Sequence, residues 1–357
     1  MSQTDETRGA ALPALVLPES AVPDPADAPG LRWGVISPGH IGTQFTQTAH
    51  RATASRVVSV VSRSAERAAA FAAEHGVERS FDDVGAMLAA GGLDAVYVAS
   101  PHAQHHALAR PVLEAEVPVL VEKAFTLNTA QARDLLDLAR DRGVFAMEAM
   151  WARFLPQQDV LRRVLESGLL GEIVEVTADH GQAMPTDPAH RMNDPELGGG
   201  ALLDLGVYPL SFAQMVLGDL SELAVRGELS PTGVDASASL LARGALGGTA
   251  RLGTTLRART PTEAIVSGTA GTARLAGAFF APGTLTVELL DGRSARFEHP
   301  GAPEDGMAYE IAEAARRISA GDLESPVMRW ADTLSVMETM DAVRAALGVV
   351  YPGEETA

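Results

Sequence analysis

The stretch Leu31-Arg-Trp-Gly34-Val-Ile-Ser37-Pro38-Gly39-His40-Ile41-Gly42 runs from a short apolar segment into a glycine-containing turn and then a helix start. Its first part, Leu31–Ser37, predicts a buried strand, and a helical stretch follows from about Ile41. Between them, Gly39 would let the backbone approach a pyrophosphate, and Gly42 would let the helix pack closely on the strand. The helix N-terminus would supply N–H groups and a positive dipole end. The spacing resembles the G-x-G-x-x-G fingerprint, with Ser37 in place of the first glycine. Ser37, Gly39, His40, Ile41 and Gly42 are therefore candidate cofactor-binding residues. An ordinary strand–helix turn competes with this reading, and the flanking context decides between them.

Outward from this turn, strand and helix signals alternate. Strands are expected at Val57–Ser62, Asp94–Ser100, Val117–Glu122 and Val144–Met150. Between them lie helices at Ala65–Glu74, through Leu113, and at Thr129–Arg142. Short buried strands alternating with amphipathic helices indicate a doubly wound parallel sheet, so residues 31–150 are read as a Rossmann domain. At the end of the second strand, where an acid would bind the ribose of NAD, stand Ser62-Arg63-Ser64. Two hydroxyls and a guanidinium suit a 2′-phosphate, which favours NADP, with NAD as the alternative. Ser62 or Ser64 could equally cap the next helix.

The pattern changes after about Met150. Glu172–His180 alternates like an antiparallel strand, and short alternating runs with tight turns fill Leu223–Glu298. Helices are expected at Ala308–Ala320 and Trp330–Leu347. Residues 151–357 thus form a second, α+β domain with an open, mostly antiparallel sheet, for substrate binding and oligomerisation. Its C-terminal helices either stay with it or pack back on the first domain. An open apolar sheet face would pair with another copy, so a homodimer or homotetramer is expected. Residues 1–30 are rich in Pro, Ala and acid and are expected to be a flexible tail.

The net charge of −18 argues against nucleic acid or an anionic membrane as partner. No apolar run is read as a membrane span. There is no cysteine, which excludes thiolate catalysis and Cys-based metal sites. No metal-ligand spacing is apparent among the His and acidic residues. With no basic, apolar leader at the start, a cytoplasmic location is expected.

Lysine and arginine together number 28, yet only Lys123 is a lysine. Arginine cannot exchange its proton at working pH, whereas lysine can. Lys123 directly follows the strand ending at Glu122, at the sheet edge where doubly wound folds bind ligands. A solvated surface lysine is the plain alternative.

Glu122-Lys123-Ala124 resembles the Glu-Lys-Pro motif of the Gfo/Idh/MocA oxidoreductase family. Ser100-Pro101-His102-x-x-His105 resembles the family's post-strand loop. Glu148–Phe154, Gly198–Pro209 and Tyr351–Glu354 look like the branch that contains dihydrodiol and NADP-dependent xylose dehydrogenases. The resemblance spans about Trp33 to Glu354. It implies a nicotinamide cofactor across the first domain and a polyol, sugar or diol between the two. In this branch a tyrosine stands where many members carry histidine, so the resemblance implies Tyr208 as acid/base, with Lys123 and Asp204 beside it. Asp204 and Tyr208 share a face if their segment is helical. Lys123 as a cation is expected to lower the tyrosine's pKa from about 10. Ser100, Pro101, His102, His105, Glu122, Lys123, Trp151 and Arg153 are further cofactor-site candidates, and His190 and Arg191 are substrate candidates. Ala124 departs from the family proline, and a Lys–Ala bond is expected to be trans. The competing functions are a ketoreductase for a nucleotide-linked sugar and a non-catalytic dinucleotide-sensing regulator.

Overall fold

The computed structural model describes residues 12–354. The first domain consists of β1 (Arg32–Ile36), α1 (His40–Ala52), β2 (Arg56–Val61), α2 (Ala65–His75), β3 (Arg79–Phe81), α3 (Val84–Ala89), β4 (Ala95–Val98), α4 (His105–Glu114), β5 (Val119–Glu122), α5 (Thr129–Arg142) and β6 (Ala146–Ala149). The six strands form one parallel sheet in the order β3-β2-β1-β4-β5-β6. The strand order reverses between β1 and β4, which places a crevice at their carboxyl ends. Helices cover both faces of β4, β5 and β6, so all their residues are buried and alternation vanishes. Caps set the helix limits. Ser64 accepts from the Arg67 N–H to start α2, Asn128 accepts from Gln131 to start α5, and left-handed Gly143 ends α5. The three-residue edge strand β3 was missed in the sequence because nothing in Arg79–Phe81 alternates over a useful length.

The second domain contains α6 (Pro156–Glu166), β7 (Ile173–Gly181), α7 (Val207–Leu217), β8 (Leu220–Leu229), β9 (Asp235–Gly244), β10 (Thr249–Thr255), β11 (Ala264–Gly268), β12 (Gly271–Leu275), β13 (Thr284–Leu289), β14 (Ser294–Glu298), α8 (Ala308–Ala320) and α9 (Trp330–Leu347). Its eight strands run in the order β14-β13-β12-β11-β7-β10-β9-β8, antiparallel except where β7 meets β10. Val176, Ala178, Ala250, Leu252 and Val266 are buried on one face, which α7 covers.

The opposite face of this sheet is not the apolar surface expected. A row of directly paired residues across it reads Leu241, Arg251, Thr177, Ile265, Arg274 and Thr286. That surface is mixed and mainly polar, so burial of an apolar face gives no reason for self-pairing. The membrane reading also needs amendment. Pro195–Leu217 forms a helical stretch long and apolar enough to cross a bilayer, but it is buried inside the protein as core.

The C-terminal helices pack back on the first domain. Helix α9 lies against α5 as well as α7 and β8. The Ala146 N–H donates to the Leu323 carbonyl, and Trp330 Nε1 donates to the Ala146 carbonyl. The expected flexible tail is partly corrected too. Residues 1–11 lie outside the described residues, but 12–30 form a strap docked on the second domain. Leu15, Leu17 and Val22 pack against the core, the Ala21 N–H donates to Asp159, and Arg316 donates to the Asp24 carbonyl. These apolar contacts outweigh the Pro- and Ala-rich composition that suggested disorder.

Candidate active site

At the carboxyl edge of the first sheet, β1 ends in Ser37, β4 leads to Ser100 and Pro101, and β5 ends in Glu122-Lys123. Together with β7, the start of α7 and residues 303–307 they enclose a cleft of about 870 Å³. Ser37 has φ +73°, the left-handed conformation that the absent glycine would adopt readily. Its N–H donates to the Val61 carbonyl, and the Gly39 N–H donates back to the Ser37 carbonyl. The turn therefore keeps the glycine-type path with a serine in it. A Cβ on Gly42 would come within 2.9 Å of the Ser37 carbonyl oxygen, which is why glycine stands there. Ser37, Gly39, His40 and Ile41 line the cleft, as does Ser100, whose buried hydroxyl has no partner among the described residues. A dinucleotide's phosphates fit this cradle of helix N-terminus and unpaired donor.

Lys123 reaches into the cleft from β5. Its Nζ donates to the Asp204 carbonyl at 2.8 Å and to Asp204 Oδ1 at 3.3 Å, and lies 5.0 Å from the centre of the Tyr208 ring. Asp204 belongs to a π-helical turn, Leu202–Gly206, that precedes α7, and Tyr208 is at the start of α7. Arg191 Nη2 lies 3.3 Å from Asp204 Oδ2. Burial would push the Lys123 ammonium down, but Asp204, Tyr208 and Glu122 outweigh it and hold the pKa above the ordinary value. Burial likewise opposes ionised Asp204, yet Lys123, His102 and Arg191 hold its carboxyl well below the usual range. The pair is thus ionised at neutral pH.

Tyr208 differs from expectation. Burial pushes its phenol up to about 12, more than Lys123 lowers it. Tyr208 is therefore a neutral acid at neutral pH. Its oxygen accepts a hydrogen bond from Trp151 Nε1 at 2.9 Å, which leaves its own hydrogen free to be donated elsewhere. Phe280 stacks on the Tyr208 ring at 4.3 Å, and His180 lies 4.5 Å from Phe280. Burial pushes His180 down to about 4, so this wall is uncharged.

Other expected residues sort by position. His102 lines the cleft, with Nδ1 against the Gly198 carbonyl and Nε2 3.8 Å from Asp204; burial lowers its pKa to about 3. His105 is fully buried, its nitrogens held by the Ser100 and Ala124 carbonyls, and so braces the loops behind the cleft instead of contacting a cofactor. Glu122 lines the cleft and accepts a hydrogen bond from the Tyr97 hydroxyl. Ser62 is buried and Arg63 exposed at the end of β2, outside the cleft lining. His190 caps a short turn by accepting from the Met192 N–H and does not line the cleft, whereas Arg191 does.

Arg153 is a further correction. It points away from the cleft and donates to Ser211 Oγ, the Ser211 carbonyl and Gln214. Burial lowers its pKa to about 10. Arg153→Ala is expected to cost about 3 kcal/mol of stability, read from the urea midpoint, because it strips a buried charged network. NADPH binding by the folded variant should be unchanged.

The Lys123–Ala124 bond is cis, not trans as expected. Hydrogen bonds flank it: the Ala124 carbonyl faces His105 Nδ1, and the Phe125 N–H donates to Glu148.

The sequence reading missed His180, Gln182, Met184 and Phe280, and the α1 residues Gln44, Gln47, Thr48 and Arg51. His180 had a signal, since it shares strand parity with the buried Val176 and Ala178. The α1 residues recur at helical spacing and could have been placed on one face. Phe280 lies in a loop and had none.

Comparison with known proteins places the chain's two domains in a family. Residues 31–150 match the model of an oxidoreductase family with an NAD-binding Rossmann fold, and 159–274 match the GFO/IDH/MocA C-terminal domain. The chain is 34% identical over 339 residues to a trans-1,2-dihydrobenzene-1,2-diol dehydrogenase from Macaca fuscata fuscata, covering 91% of this chain and 99% of the relative. The chain belongs to the Gfo/Idh/MocA oxidoreductase family. Among solved structures, levoglucosan dehydrogenase in complex with NADH and levoglucosan superposes with a TM-score of 0.81 at 19% identity, over 90% of this chain and 97% of that one. A variant of a 3-ketoreductase from Actinomadura kijaniata, in complex with TDP-benzene and NADP, superposes at 0.73 with 27% identity, over 89% and 98%. Family membership accounts for the two-domain plan around the cleft.

Proposed function

We propose that this Gfo/Idh/MocA member is an NADP-dependent dehydrogenase or reductase acting on a CH–OH group of a sugar, polyol or cyclic diol. One observation carries the reading: Lys123, ionised Asp204 and neutral Tyr208 converge in a cleft fronted by a dinucleotide turn. Ser37, Gly39, His40, Ile41 and Ser100 would hold the dinucleotide, and its nicotinamide supplies hydride acceptance or donation when bound.

In the reductive direction Tyr208 donates its free proton to the substrate carbonyl oxygen. In the oxidative direction the same oxygen, as phenolate, takes the hydroxyl proton. Lys123 places positive charge beside the reacting oxygen and stabilises the negative charge developing there. Asp204 fixes the ammonium and thereby aims it. The aromatic wall of Tyr208, Phe280 and Trp151 suits the flat, apolar face of a ring whose edge carries hydroxyls. The relative named for a cyclic diol supports that substrate class.

NADP is favoured by Arg63 beside Ser62 at the end of β2, where no acid stands to bind a ribose hydroxyl. Fluorescence titration should show NADPH binding at least about tenfold tighter than NADH, with Arg63→Ala removing most of the difference. Tighter NADH binding would overturn the choice of cofactor. Turnover is tested with trans-dihydrodiols, levoglucosan and aldoses, followed at the nicotinamide absorbance. Reduction of a nucleotide-linked keto sugar is the second reading, supported by likeness to the 3-ketoreductase, and such a sugar belongs in the same panel. Tight NADPH binding with no turnover of any member would instead favour a dinucleotide-sensing regulator.

A further inference from the structure

We infer that Asp235 is a positioning residue that holds the helical turn carrying Asp204 and Tyr208 in register. The inference rests on the proposed roles of those two residues. Asp235 heads β9 and is fully buried. Its Oδ2 accepts from the Leu202 N–H at 2.7 Å, the start of the π turn Leu202–Gly206. A carboxyl from a neighbouring strand thus does the work of a helix cap, satisfying an N–H that the helix itself leaves free.

The other oxygen, Oδ1, has no partner among the described residues and faces Gly200. Gly200 has φ +119°, and a Cβ there would lie 2.3 Å from that oxygen. Just before it, the Tyr351 hydroxyl donates to the Gly199 carbonyl at 2.6 Å. Glycine at 200 is therefore needed for backbone shape and to admit the carboxyl.

The turn anchored in this way is not ordinary helix. A π turn holds one residue more than an α turn and places its side chains differently. Its Asp204 carbonyl is taken by Lys123 Nζ. Two side chains from elsewhere in the chain thus pin the turn: Asp235 at its first N–H and Lys123 at a carbonyl in its middle. A shift of register by one residue would rotate each side chain by roughly 100° and swing Asp204 away from the ammonium. Asp235 touches neither the cleft nor Lys123, so it acts through the geometry of the turn.

The Leu202 N–H needs an oxygen acceptor, which an amide of the same shape also offers, and burial, which pushes the carboxyl up to about 7, eases the exchange for an uncharged group. The test uses the full chain with Asp235→Asn, Asp235→Ala and Asp235→Ser. Hydrogen exchange by mass spectrometry reads the backbone over residues 199–208. NADPH titration reads the cofactor site, and kcat and KM are taken on whichever panel substrate the wild type turns over. For Asp235→Ala, exchange over 201–208 should quicken at least about tenfold and kcat should fall about 100-fold, as expected for slight misplacement of reacting groups. NADPH affinity should stay unchanged, and Asp235→Asn should behave like wild type. If Asp235→Ala does not fold, Asp235→Ser gives the same readings, since it leaves a smaller cavity and a hydroxyl too short to take the place of the carboxyl at the Leu202 N–H. Unchanged exchange over 201–208 overturns the anchor. Faster exchange with wild-type kcat, or Asp235→Asn as impaired as Asp235→Ala, overturns the positioning role. A wild type that turns over nothing in the panel would overturn the proposed function instead, and exchange alone would then decide the anchor.

Discussion

Lys123→Met is expected to lower kcat by about a thousandfold while leaving NADPH affinity within a few-fold of wild type. Methionine matches the length and volume of the lysine stem, so the packing beside Tyr208 survives. What disappears is the charge. Among the described residues, Asp204 then keeps half-exposed Arg191 and neutral His102 as its nearby cationic-type groups, and its carbonyl loses the ammonium donor. The reacting oxygen loses the cation that would meet its developing negative charge. Steady-state kinetics and nicotinamide fluorescence separate the two effects. Turnover at the wild-type level would show that the lysine has no part in the chemistry. Loss of NADPH binding in place of turnover would make it a cofactor ligand.

Tyr208→Phe should cost about 10²- to 10⁴-fold in both directions, the usual worth of a positioned acid or base. Its pH signature is more specific. With the phenol pushed up to about 12, the proton-donating form dominates at all ordinary pH values. Reduction should therefore show kcat/KM flat from about pH 6 to 9, falling only as pH approaches the phenol's own value. Oxidation needs the phenolate, so its kcat/KM should rise about tenfold per pH unit over the same range. The phenylalanine variant should lose that slope. A flat oxidative profile in the wild type would sink the assignment of Tyr208 as base.

The first domain was legible because its signals are local. LRWGVISPGHIG holds strand, turn and helix start within a dozen residues, and each later strand is a short apolar run between amphipathic helices. Lys123 could be placed because it directly follows such a run. Its partnership with Asp204, 81 residues away, came from motif resemblance, since no periodicity links positions so far apart. Tyr208's protonation was misjudged because a sequence shows that a cation is near but not how completely water is excluded. Arg153 was misplaced for a similar reason: the motif was right, but the side chain's direction depends on α7, which the sequence places 54 residues later. The polar open face of the second sheet was within reach, because strand parity alone puts Thr177, Arg251 and Arg274 on one side.

The strap of residues 12–30 also bears on how the protein comes into being. Synthesis runs from the N-terminus, so the strap leaves the ribosome well before Arg316, on which it docks 292 residues further along from Asp24. At ribosomal speeds of about 10 residues per second, it waits about half a minute for that partner. The Rossmann strands can pair in that interval, but the strap can close only once α8 has been made. The strap is therefore made before both domains, yet its contact at Asp24 can form only after α8 has followed them.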